Sequence, residues 1–368
     1  VSDFAGQWMG ISVGDPDGLL VCDLEDVHGE VRGKVSLFPH DLSIPASSAN
    51  IAFIAQNPVS VDAPRVLHFI GNTGYVPSWQ ELGYFFPEVT LPSSVEAVLR
   101  MQQNGELQVD WKTPAETGGK AALRRVKPGK RSSIMPERHI DNWGEFQNFA
   151  KKSVGKGFAF RGQSKSWPLA TTFHRKGRTN LDRYWSSDIP RLQRATSSSL
   201  THVFDLMKQF ELNAFLNLAQ HHGYPTPLLD WTFSPYVAAY FAYSRCDEAQ
   251  SEPVRIFYID YEEYTRIIPQ IHTLASVTPH FSFLEAPSIA NDRAIPQQGL
   301  LGLSNVADIE RFVRNHEEKN EKSFLFAIDL PASEKTQVLA ELGLMGITKA
   351  TMFPGLDSIC EELSNRYF

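Results

Sequence analysis

The sequence predicts a two-domain protein: an N-terminal all-β antiparallel barrel or sandwich over residues 1–126, and a C-terminal α+β domain over residues 139–368. Three observations carry this. Short apolar runs of strand length recur through the first 126 residues, divided by Gly, Pro, Asn and Asp. Beyond Asn142 the apolar residues recur in steps of three and four, interrupted by a few strand-like runs. Between the two patterns lies Lys127 to Pro136, basic and broken by Pro128 and Gly129, so a linker is expected over 127–138. A length of 368 residues accommodates two or three domains, and a hydrophobic fraction of 42% supplies cores for them.

Eight strands are predicted in the first domain: Gly6 to Val13, Leu19 to Leu24, Val31 to Phe38, Ile51 to Ile54, Val66 to Ile70, Val95 to Met101, Leu107 to Trp111 and Ala121 to Val126. Gly14-Asp15-Pro16-Asp17-Gly18 separates the first two, and Asn104-Gly105 reads as a hairpin turn. Strands at this spacing suit a small barrel or sandwich that serves as a sensor or recruitment domain. Gly6-Gln7-Trp8-Met9-Gly10 and the later Trp111 resemble small lipocalin-like barrels. Trp8, Trp79 and Trp111 either line a ligand pocket or pack the core, and core packing is the simpler reading.

In the second domain a helix should start near Asn142, with Glu145 three residues on. Phe158 to Phe160 reads as a short strand ending at Arg161. A long helix is expected from Ser199 to His221, because Leu200, Val203, Met207, Phe210, Ala214 and Leu218 recur as one buried face requires; Gly223 would end it. The next helix opens at Ser234 with Pro235 in the first position, and its run through Val237 to Ala242 is apolar nearly all round. Val254 to Asp260 and Phe324 to Leu330 read as core strands, and helices are expected over Glu334 to Leu342 and Leu356 to Asn365.

Charge and composition narrow the function. Residues 1–138 hold 12 basic and 16 acidic side chains, and the rest hold 23 and 26. Neither half is a broad basic surface, so non-specific nucleic-acid binding is disfavoured. The cluster Arg124, Arg125, Lys127, Lys130 and Arg131 reads first as a solvated linker and second as a phosphate contact. No apolar run approaches the roughly 18 residues of a membrane span, so no membrane partner is expected. Cys22, Cys246 and Cys360 are few and far apart; they offer no zinc spacing and suit a cytoplasmic protein without a metal.

The densest chemistry lies in His221-His222-Gly223-Tyr224-Pro225-Thr226-Pro227-Leu228-Leu229-Asp230-Trp231-Thr232, read as a rigid, titratable connector between two apolar helices. Arg161 at a strand end offers a guanidinium fork to a phosphate or carboxylate, or forms an ion pair with Asp230. Asp230, flanked by Leu229 and Trp231, is expected in apolar surroundings, either paired or with a raised pKa as a base. Thr232 and Ser234 bring hydroxyls to a helix N-terminus, where capping alone would explain Ser234. His221 and His222 point about 100° apart on a helix and cannot share one metal there; either could be a base or a helix-end residue. In Asn291-Asp292-Arg293-Ala294-Ile295-Pro296-Gln297-Gln298-Gly299, Gln297 or Gln298 would either present an amide to a ligand or satisfy the loop.

Phe160-Arg161-Gly162, then Leu218 to Gly223, then Leu228 to Thr232 with Pro235 and Phe241-Ala242, resemble the FRG family, named for its Phe-Arg-Gly signature. Met345 to Thr348 and Phe353 to Asp357 resemble its C-terminal part, and the likeness spans roughly Ile140 to Phe368. The resemblance implies a C-terminal α+β FRG domain and a microbial protein of phage defence or toxicity. The order of Arg161, then Thr232 and Ser234, then a late Gln297 or Gln298 is similar to that of ADP-ribosyltransferases, and a fold of that kind is an open expectation. That similarity implies NAD as substrate and either ADP-ribosyl transfer or NAD hydrolysis. Arg161, Gly162, Gln163, Thr232, Ser234 and His222 would hold it, with Arg161, Asp230, Gln297 and Gln298 at the reacting bond. The sequence departs at the third position, where a glutamine stands for the charged glutamate, so Asp230 would have to carry the charge. Two alternatives stay open: a non-enzymatic protein- or nucleotide-binding module with Arg161–Asp230 as a structural pair, and a metal-assisted hydrolase or nuclease. The macromolecular target or trigger would engage the N-terminal β domain.

Overall fold

Alternation of inward and outward side chains organises the first 126 residues. The computed structural model of the chain describes residues 2–71, 75–285, 289 and 297–367. Nine strands form here: β1 (Gly6–Asp15), β2 (Gly18–Val27), β3 (Glu30–Pro39), β4 (Ala46–Ile54), β5 (Val59–Ala63), β6 (Val66–Phe69), β7 (Val95–Met101), β8 (Leu107–Lys112) and β9 (Gly118–Val126). They run in the order β5-β7-β8-β9-β1-β2-β3-β4-β6, each antiparallel to its neighbours. Because β4 also lies against β5, the sheet curls into a nearly closed barrel. Leu20, Cys22 and Leu24 of β2 are buried in its core, while Asp23 and Glu25 of the same strand are bonded outside it.

Eight strands were expected and β5 is the addition. It follows Pro58 and alternates Val59, Val61 and Ala63 inward, too short a pattern to stand out in the sequence. The Asn104-Gly105 turn joins β7 and β8, with Gly105 at φ +81°. Helix α1 (Trp79–Phe85) was not expected; Ser78 and Glu81 start it with a reciprocal capping box. The three tryptophans part company: Trp8 is buried, Trp79 is 69% exposed, and Trp111 is half-buried with its Nε1 donating to Ser12 Oγ (2.9 Å).

The basic cluster is not a solvated linker throughout. Arg124 and Arg125 belong to β9, where Arg124 meets Glu106 and Arg125 lies over the Trp8 ring. Residues 127–136 lack regular structure but are anchored: Arg131 pairs with Glu252, Ser133 donates to Glu310, and Pro136 bridges to Ala327. The barrel is tied down in the same way. Gln7 bonds Asn305 O and Ala307 N, and buried Glu25 accepts from Arg178, Arg183 and the N–H groups of Thr179 and Asn180.

The remainder is α+β. Its strands are β10 (Phe158–Gln163), β11 (Leu228–Thr232), β12 (Val254–Asp260), β13 (Phe281–Leu284), β14 (Gly299–Ser304) and β15 (Leu325–Leu330), in the antiparallel order β13-β14-β11-β10-β12-β15. Its helices are α2 (Trp143–Lys152), α3 (Thr172–Arg175), α4 (Leu181–Arg183), α5 (Ile189–Thr196), α6 (Gln209–His221), α7 (Pro235–Ser244), α8 (Tyr261–Ile267), α9 (Ile309–Asn320), α10 (Lys335–Leu344), α11 (Lys349–Met352) and α12 (Leu356–Tyr367). One apolar cluster packs α8 and α9 under β10, β11, β12 and β13. On the other side, α2, α7 and α10 cover β10, β12 and β15, while α5 and α6 pack with β11, β13 and β14.

Three sequence expectations need correction. The connector containing Asp230 is a strand, β11, hydrogen-bonded to β14 over its whole length. The strand with Phe160 does not stop at Arg161 but continues to Gln163, paired with β12. The helix expected from Ser199 starts only at Gln209, and Val203, Met207 and Phe210 are exposed. Glu211 takes the N–H of Asp205 and contacts His202, which folds the upstream segment back as an irregular turn. Ala214 and Leu218 are buried as the periodicity suggested, but so is every residue from Leu212 to Ala219, so the helix is enclosed all round rather than along one face.

Candidate functional site

The pocket begins where β10 and β11 part. These strands pair only at Phe160 and Thr232, whereas β10 pairs with β12 at six positions. Beside this gap the seam between the α6 and α7 clusters opens into a pocket of about 790 Å³. Arg161 Nη1 bridges the gap by donating to the main-chain carbonyl of Asp230 (2.6 Å). Its Nε is buried and has no hydrogen-bond partner among the described residues.

Two further arginines line the pocket: Arg175 at the end of α3 and Arg245 just past α7. Burial, helped by the like charges of Arg175 and Arg245 and opposed by Asp230, pushes the Arg161 guanidinium down to about 10. Burial likewise lowers Arg175, which Asp230 partly offsets. Asp230 is the one carboxylate among the described lining residues, and its charge acts on Arg161 and Arg175. Such a site attracts anions, and its arginine forks fit phosphate oxygens in pairs.

Arg161, Gly162, Gln163, Asp230, Thr232 and Gln297 all border this pocket, although they come from three separated stretches of sequence. Asp230 is not in apolar surroundings as its neighbours suggested. On a strand, Leu229 and Trp231 turn to the core and Asp230 to the exposed side, where Gln220 Nε2 donates to Oδ1 (2.5 Å). Gln220 is itself held by the Thr226 hydroxyl. The expected ion pair with Arg161 is therefore a bond to the Asp230 carbonyl rather than to its carboxylate.

The other candidates separate into roles. Thr232 is buried and its Oγ1 accepts from Ser234 N (3.1 Å). Ser234 caps α7 by accepting from Val237 N and does not line the pocket. His222 is exposed at the end of α6 and lies outside the pocket, which its neighbour His221 borders. Gln297 commits its amide to Met352 O (2.9 Å), so the loop-satisfying reading fits it. Gln298 is exposed at φ +47° and accepts from Phe233 N through its carbonyl, away from the pocket. Asn291 to Pro296 lie outside the described residues. Among the described residues no three His, Cys, Asp or Glu side chains group as metal ligands, and no helix is long and apolar enough to cross a membrane.

The family described as the FRG domain matches residues 156–251. Residues 156–251 form an FRG domain. The match spans β10 to α7 and holds Arg161, Arg175, Gln220, Asp230, Thr232 and Arg245. No curated protein matches the chain. Within the FRG signature each residue has its own task. Phe160 is buried among Phe149, Phe158 and Tyr258. Arg161 spans the gap. Gly162 admits α7, since a Cβ there would stand 1.8 Å from the Ala238 carbonyl oxygen.

Sequence reading missed Arg175 and Arg245. Arg245 had a signal: it is a cation closing an apolar helix, where the C-terminal dipole favours positive charge. Arg175 sits one residue past His174, whose Nδ1 meets the Thr171 hydroxyl, and nothing in the sequence points it at the pocket.

Proposed function

We propose that the FRG pocket takes a dinucleotide of the NAD class as substrate and transfers or hydrolyses its ADP-ribosyl group. The observation that carries this reading is the convergence of Arg161, Arg175 and Arg245 on one pocket with the single carboxylate of Asp230. A volume of about 790 Å³ suits a nucleotide-sized ligand. The three guanidinium groups would hold the pyrophosphate, and Phe241 and Phe353 would offer ring faces to a base. The bond between ribose C1′ and the nicotinamide nitrogen breaks, and its electron pair leaves with nicotinamide. Positive charge then develops on the ribose. Asp230, oriented by Gln220, stabilises it, and water or a target nucleophile bonds to C1′ while giving up a proton. Gln297, engaged with Met352, would shape the ribose end without supplying charge.

The test is nicotinamide release from NAD by the full chain, followed by chromatography, with mass gain on proteins and nucleic acids present. Asp230→Asn should slow release by roughly 100- to 1,000-fold, as loss of one preorganised charge stabiliser does. Unchanged release would remove Asp230 from the chemistry. A second reading is a non-enzymatic nucleotide-binding module, favoured by the Arg161 bond to a carbonyl across the sheet, which gives that residue a structural use. NAD or ADP-ribose bound by calorimetry with no nicotinamide released would select it.

A further inference from the structure

We infer that the interior of the barrel is a binding site for one small apolar molecule that is neutral or carries a basic nitrogen. The barrel holds a cavity of about 410 Å³, separate from the arginine pocket. Much of its wall is made of short side chains, among them Ala49, Ala63, Ala97, Val61, Val95 and Val109. Barrels of about eight strands are either just filled by their side chains or hold one small ligand. Here the two ends differ. Phe4, Trp8 and Phe53 close one end of the core and do not line the cavity, and Phe4 and Phe53 meet edge to face at 5.4 Å between ring centroids. The void lies toward the end bearing Asp15 and the segment around Glu88. A largely apolar space of this kind favours apolar molecules over water.

The polar groups of the wall set the ligand's charge. Asp15 and Glu88, both exposed, are the carboxylates lining it, and no Lys or Arg is among its described lining residues. His68 is largely buried there, its Nε2 bonded to Pro92 O (2.9 Å), and burial keeps it neutral by lowering its pKa. An anionic headgroup would therefore meet like charge at the rim and find no cation, whereas a neutral or amine group would not.

Trp111 borders the cavity and makes it readable. The full chain is titrated with N-phenyl-1-naphthylamine, a neutral aromatic amine whose absorption overlaps tryptophan emission. One site should saturate, with emission sensitised by Trp111. Trp111→Phe should lower that sensitised emission, with Trp8 of the same barrel supplying the remainder. Ala49→Phe, with an unchanged circular dichroism spectrum, should weaken binding at least tenfold. Dodecylamine should compete at least tenfold better than dodecanoate. Absence of saturable binding overturns the inference. So does sensitised emission unaltered by Trp111→Phe, which would place the probe away from Trp111, or dodecanoate competing as well as dodecylamine, which would overturn the charge assignment. If Ala49→Phe fails to fold, the tryptophan variant and the paired competitors decide.

Discussion

Replacing Arg161 with Met separates a ligand contact from a structural pair. Among the described residues the Arg161 side chain makes one hydrogen bond, Nη1 to the Asp230 carbonyl, and its buried Nε makes none. Losing a hydrogen bond to a charged group costs about 1.5–3 kcal/mol. Against this, the fold holds that cation in a desolvated place beside Arg175 and Arg245, which lowers its pKa to about 10. The guanidinium is charged at neutral pH in the folded and unfolded chain alike. The destabilising term is thus in full force at neutral pH and lifts only as pH rises above about 10. Met keeps much of the volume and removes that term, so the two effects oppose each other and the net change should stay within about 2 kcal/mol. At about 2–4 °C per kcal/mol for a region of this size, melting should move by less than about 8 °C. Calorimetry with ADP-ribose should show affinity falling about 10- to 100-fold, one charge-assisted hydrogen bond's worth. Had Arg161 been half of a buried ion pair, the stranded partner would cost about 3–5 kcal/mol. A melting drop beyond about 10 °C, or unchanged ADP-ribose affinity, refutes the reasoning.

Gly162→Ala should destabilise by about 3 kcal/mol or more, because the added methyl meets the Ala238 carbonyl oxygen at 1.8 Å and the nearest atoms around it are all main chain of α7; a urea midpoint near wild type would contradict this. Glu25→Gln should cost about 3–5 kcal/mol, since Arg178 and Arg183 lose the charge they share between barrel and FRG region; guanidinium denaturation showing less than about 1 kcal/mol would argue that the contact is dispensable. Burial pushes His280 down to about 3 and His174 to about 4, so both are neutral in the fold, while the unfolded chain takes up their protons near pH 6.5. The stability this neutrality preserves is complete above about pH 6.5 and is lost as pH falls toward 4 and 3. Urea midpoints should therefore drop across that window and drop less in His280→Gln; a flat profile would count against it.

Much of the fold was legible because it rests on local chemistry. Asn142 and Ser234 accept from the third residue of their helices as capping residues do, and the period-two pattern from Gly6 to Val126 marked most of the barrel. The arginine pocket was legible in part, since Arg161, Asp230 and Thr232 stand beside glycine or in an aromatic, proline-rich stretch. What failed was non-local. Leu228 to Thr232 became a strand because β14 lies beside it, which no local pattern records. The exposure of Asp230 follows from that strand's alternation, and the positions of Arg175 and Arg245 follow from how α3 and α7 meet the sheet.

The single pairing of Phe160 with Thr232 gives the six-stranded sheet an unusual compliance. Three strands lie on either side of it, each trio fully laced by its own ladder bonds. The apolar layer around Trp231 and Phe257 runs beneath both and acts as a spine, while the opposite side carries two separate helical covers. The two trios are joined only by the Phe160–Thr232 bridge and the Arg161 bond to the Asp230 carbonyl, so widening the cleft between them would cost those contacts and no other backbone pairing. A cleft cut into a continuous sheet would resist such a change bond by bond. Here the resistance is confined to one bridge.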